Sequence, residues 1–88
     1  MAWRIEFHPD AAKDLKRLDR AAAARIVRTL ESRIATRDDP RALGAALKGE
    51  DSGYWRWRIG DYRVVARTED ERITILVVGV GHRREVYR

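Results

Sequence analysis

The chain has 88 residues, 44% hydrophobic and 38% charged with two prolines, which excludes a disordered tail and leaves too little apolar surface for two cores; one domain over residues 1–88 is expected. With no cysteine there is no disulfide, thiolate nucleophile or cysteine-ligated zinc, and His8 and His82 have no carboxylate at a ligand spacing, so neither metal nor other cofactor is expected. A net charge of +5 directs attention to polyanionic partners: RNA, DNA or an acidic protein.

The first ten residues alternate apolar and polar instead of forming an apolar run, so no signal peptide or membrane span is expected and a cytoplasmic location is the default. Trp3, Ile5 and Phe7 alternate with Arg4, Glu6 and His8, the period of a strand with one buried face. Pro9 and Asp10 end it, and Asp10 is the expected cap of a helix with Ala11, Leu15 and Leu18 on one face and Lys13, Lys16 and Arg17 away from it. His8 reads as an ordinary surface residue. Asp19 caps a second helix, in which Ala23, Ile26, Val27, Leu30 and Ile34 form the apolar stripe and Arg25, Arg28 and Arg33 point to solvent. Asp38, Asp39 and Pro40 break the pattern, and Arg41 to Leu47 reads as one further helical turn before Lys48 and Gly49.

From there the period changes to two. Trp55, Trp57 and Ile59 alternate with Tyr54, Arg56 and Arg58; Gly60 and Asp61 form a turn; Tyr62, Val64 and Ala66 alternate with Arg63, Val65 and Arg67. A charged turn at Glu69, Asp70 and Glu71 leads to the run Ile73 to Val80, apolar on both faces as in a central strand covered on both sides. The expected fold is α+β: an N-terminal strand, two antiparallel helices, then a mainly antiparallel sheet of three or four strands.

A two-residue loop at Gly60 and Asp61 fixes the hairpin register: Ile59 with Tyr62, Arg58 with Arg63, Trp57 with Val64, Arg56 with Val65. Tyr54, Arg56, Arg58, Arg63 and Arg67 then share the face opposite the tryptophans. Like charges placed across a strand pair are unfavourable, so Arg58 facing Arg63 suits an absent anion better than it suits stability, and guanidinium forks match phosphate oxygens. A solvated, edge-protecting face is the competing explanation. His82, Arg83, Arg84 and Tyr87 follow the central strand. A histidine among arginines is disfavoured as a cation and suited to accept a proton, and a terminal aromatic can stack on an unpaired base.

The runs YWRWRIGDYRVVAR and VGHRREVY, together with the N-terminal strand, the helix pair and the Leu47, Lys48, Gly49 segment, resemble the RelE branch of the RelE/ParE toxin superfamily over nearly the whole chain. The resemblance implies a RelE-like fold and a ribosome-dependent endoribonuclease that cuts messenger RNA in the ribosomal A site. There the ribose 2′-hydroxyl attacks the neighbouring phosphate, without a metal, and translation stops. It also implies a cognate RelB-like antitoxin as partner. Carried over by position, Arg63 matches the family's arginine in the GYR-type segment, Arg83 the arginine near the end, and Tyr87 the C-terminal tyrosine. Arg56 stands where lysine is frequent, and Lys48 lies in a loop that often meets phosphate. Tyr54 and His82 replace lysines of some members, and His82 is the expected aid to proton transfer. The catalytic set is thus Arg56, Arg63, His82, Arg83 and Tyr87, with Lys48, Tyr54, Arg58 and Arg84 binding substrate. A ParE-like inhibitor of DNA gyrase shares this fold without needing the catalytic set, and a non-catalytic RNA- or protein-binding module is a third reading.

Overall fold

A computed structural model describes residues 2–82. The elements run β1 (Arg4–Phe7), α1 (Pro9–Arg17), α2 (Arg20–Thr29), β2 (Ala45–Ala46), β3 (Trp55–Ile59), β4 (Tyr62–Glu69) and β5 (Thr74–His82). Five strands form one sheet in the order β1-β5-β4-β3-β2, so the expected antiparallel strands are joined by β1, parallel to β5, and by the short β2. With β1 and β2 at opposite edges, the helices between them carry the chain across one face of the sheet. Among the described residues nothing packs across the other face, which is open.

The helical start is set two residues earlier than the sequence pattern suggests. His8, not Asp10, is the N-cap of α1: its Nδ1 accepts the Asp10 amide at 3.1 Å, and Pro9 occupies the first turn, where a missing N–H costs nothing. Asp19 caps α2 as expected, accepting from the Ala22 amide at 2.6 Å. After α2 the chain makes one wider turn, Leu30–Ile34, that keeps Leu30 and Ile34 buried. Arg41 to Leu47 is not a helical turn throughout. A 3₁₀ turn at Pro40–Leu43 stops at Gly44, and Ala45 and Ala46 pair with Arg56 and Trp55. A Cβ on Gly44 would meet the Arg56 carbonyl at 2.8 Å, so only glycine lets the chain press against β3 at this point.

The core lies between the helices and the sheet. Ala11, Ile26, Leu30 and Ile34 come from above, and Trp57, Ile59, Val64, Ala66, Ile75, Val77 and Val80 from below. Trp57 is 1% exposed and its indole N–H donates to the Pro40 carbonyl at 3.0 Å, so its polar edge is satisfied where water cannot reach it.

One irregularity decides which way the end of β5 faces. Val65 pairs with Gly79 but Ala66 pairs with Val77, leaving Val78 as the extra residue of a β-bulge. The Val80 amide donates to the Asp14 carboxylate of α1 at 3.0 Å. Before the bulge Ile75 and Val77 face the helices; after it Val80 does. The expectation that β5 is covered on both sides does not hold. Leu76 and Val78 line a concavity on the open face, because both helices pack on the other side.

Candidate functional site

The hairpin register is as the alternation dictates: Trp55 with Ala66, Arg56 with Val65, Trp57 with Val64, Arg58 with Arg63 and Ile59 with Tyr62. Gly60 has φ +60°, the first central position of a two-residue hairpin turn that matches the twist of the strands. Because Trp57 and Val64 are buried under the helices, Arg56, Arg58, Arg63 and Arg67 are turned to the open face. Arg58 and Arg63 face each other, and Arg56 is the diagonal neighbour of Arg63, roughly 7–8 Å away at the backbone. Arg56 and Arg63 are half-buried, whereas Arg58 is exposed.

The difference has a simple origin. β2 ends opposite Arg56, so the edge of β3 beyond it is uncovered and Arg58 borders two surface hollows there, one shared with Leu43, Gly44, Ala45 and Arg56, the other with Thr29, Arg33, Ile34, Leu43 and Trp57. Arg56 and Arg63 are therefore the better-held pair, and Arg58 an exposed reinforcement at the rim. Tyr54 stands at the other end of β3, half-buried. Lys48 is exposed in the loop between β2 and β3, next to the backbone bond from Leu47 to Tyr54.

His82 is not brought to this face. It pairs with Tyr62, and the two rings meet edge to face at 6.1 Å between centroids, on the helix side of the sheet. The bulge is the cause: in an unbroken β5, His82 would share the face of Leu76 and Val78 and look toward the arginines. Proton transfer by His82 is thus not supported by its position. Arg83, Arg84 and Tyr87 lie outside the described residues.

Three residues that border the open face stand outside the catalytic and substrate-binding sets expected from sequence. Arg67 pairs with Glu69 at 3.1 Å, and His8 and Asp10 join Tyr54, Arg67, Leu76 and Val78 around a cavity of about 350 Å³. The alternation already put Arg67 on the arginine face. His8 gave no signal, since its place depends on β1 lying beside β5. Among the described residues no group of three or more His, Asp or Glu is placed to hold a metal ion, and no helix is long and apolar enough to cross a membrane.

The family described as "ParE toxin of type II toxin-antitoxin system, parDE" matches residues 5–87. The chain is 30% identical over 88 residues to the toxin RelG of Mycobacterium tuberculosis, covering all of this chain and 99% of that one. It is 38% identical over 78 residues to the toxin YoeB of Mycobacterium bovis, covering 82% of this chain and 89% of that one. Its fold matches a chain of the toxin-antitoxin complex RelBE2 from M. tuberculosis with a TM-score of 0.87 at 27% identity, over 97% of this chain and 95% of that one. A ParE family match and full-length likeness to a Rel-named toxin meet on one sheet-and-helix-pair fold, and the chain belongs to the RelE/ParE superfamily of type II toxin-antitoxin toxins.

Proposed function

We propose that this toxin is a ribosome-dependent messenger-RNA endoribonuclease acting in the A site, and that the reading rests on one observation above all: Arg56, Arg58 and Arg63 converge on the open sheet face with Arg58 directly opposite Arg63. Like charges directly across a strand pair disfavour each other, and a phosphate bound beside them would offset this. In the reaction the 2′ oxygen loses its proton and bonds to phosphorus, the bond from phosphorus to the 5′ oxygen breaks, and that oxygen takes up a proton, leaving a 2′,3′-cyclic phosphate. Arg56 and Arg63 hold the phosphate and stabilise the extra negative charge on its oxygens as the phosphorane forms, a service that fixed guanidinium donors perform without a metal. Arg83 and Tyr87 are proposed to complete the set, with Arg84, Lys48, Tyr54 and Arg58 guiding the strand. A RelB-like antitoxin is the proposed partner, in keeping with the relatives solved as complexes with RelB.

The test is to add the protein to translating ribosomes and determine the ends of the RNA fragments. Cyclic phosphates within the A-site codon support the reading. The matching family is described as a ParE toxin, and inhibition of DNA gyrase, as by a ParE-like toxin, is the second reading. Intact messenger RNA with blocked supercoiling by purified gyrase would put that reading first.

A further inference from the structure

The open face has two ends of different chemistry. Arg56, Arg58 and Arg63 mark the hairpin end. At the other end Tyr54 and Arg67 stand above an apolar floor of Leu76 and Val78, closed by His8 and Asp10 around the cavity of about 350 Å³. Tyr54 is two residues from Arg56 along β3 and Arg67 four from Arg63 along β4, so the cavity begins about 7 Å from one arginine and lies about 13 Å from the other. A nucleotide next to one whose phosphate rests on the arginines would reach it.

The charges at this end decide what part of a nucleotide fits. Arg67 is offset by Glu69 at 3.1 Å, and Asp10 adds a carboxylate at the rim, so a phosphate would meet little net attraction there. A neutral, flat base meets an apolar floor, an aromatic wall and hydrogen-bonding groups. His8 is preset for this: its Nδ1 is occupied by the Asp10 amide at 3.1 Å, which in the neutral ring leaves the N–H on Nε2 as a donor. Asp10, with its side chain 75% exposed, offers acceptors for the N–H groups of a base edge.

We infer that the cavity formed by His8, Asp10, Tyr54, Arg67, Leu76 and Val78 holds a nucleobase of the RNA strand cut at the arginines, one that presents N–H donors to Asp10. This rests on the endoribonuclease reading and adds to it a subsite for base selection. The experiment maps cut sites in a messenger RNA during translation by purified components, for the wild type, Leu76→Trp and Asp10→Asn, with circular dichroism of each to show folding. Leu76→Trp fills the cavity and is expected to slow cutting at the preferred codons about 10-fold or more. Asp10→Asn, exposed and isosteric, exchanges one acceptor for a donor and is expected to change which bases flank the cuts. If both variants cut the same sites at the same rates, the inference is overturned while RNA cleavage stands, and the cavity is left to a side chain of a partner protein. If the wild type cuts nothing, the endoribonuclease reading itself falls and takes the subsite with it.

Discussion

Arg63 sits on β4, the central strand, opposite Arg58 and diagonal to Arg56, where an added anion gains most from fixed guanidinium donors. Arg63→Ala is expected to lower the cleavage rate by about 10²-fold or more, measured as single-turnover cutting on ribosomes, with lysine restoring part because it keeps the charge but not the fork. High salt weakens attraction to RNA at large, so a loss that salt reproduces in full in the wild type would reduce Arg63 to a general anchor. His82 is expected to behave differently. Its contact is with Tyr62 on the helix side, so His82→Ala should leave the cleavage rate unchanged and cost about 1 kcal/mol of stability on thermal unfolding. A large rate loss would mean that the ring reaches the arginine face during the reaction. Asp39 supplies a pH test: its side-chain hydrogen bond from Arg41, at 2.8 Å, holds its carboxyl below the usual value. A depressed carboxylate contributes stability above its unfolded pKa and loses it as pH falls through the folded one. The melting temperatures of wild type and Asp39→Asn should therefore differ at neutral pH and converge in acid, below about pH 4.

At the scale of elements, the β3–β4 hairpin is where sequence and structure agree most closely. A two-residue loop leaves one register, and that register sorts tryptophans from arginines without further information. The helix pair was equally legible, because Ile26, Leu30 and Ile34 fall at helical spacing and all three are buried. What was not legible depends on contacts distant in sequence. The two-residue strand at Ala45 and Ala46 has too few residues to show a period, and the parallel pairing of β1 with β5 joins segments some seventy residues apart. The bulge at Val78 is the most consequential of these. Glycines at 79 and 81 hint at an irregular strand, but only pairing with β4 shows that one residue is extra and that His82 is turned over. If Asp14 anchors the bulge through the Val80 amide, Asp14→Ala should cost about 1–3 kcal/mol in denaturant unfolding, since it strands a partly buried N–H. A cost near zero would show that the bulge is held by the sheet alone.

For the whole molecule, the arrangement divides labour between two faces. One face of the sheet is sealed by α1 and α2 and carries the core; the other, among the described residues, is open, with cations at one end and an apolar hollow at the other. The net charge is distributed unevenly as well. Residues 9–37, which include both helices, contain eight basic and four acidic side chains, so most of the excess of +5 comes from outside the strands that carry the arginines. Long-range attraction to RNA thus does not by itself bring a strand to the arginines. Local geometry has to do so, and the central claim is accordingly about geometry. It is tested most directly by mapping cuts in a messenger RNA on translating ribosomes with the wild type and with an Arg56→Ala, Arg63→Ala double variant shown to be folded. The account predicts cyclic-phosphate ends in the A-site codon with the wild type and their loss in the variant. Cuts that persist unchanged in the variant, or none with the wild type, would contradict it.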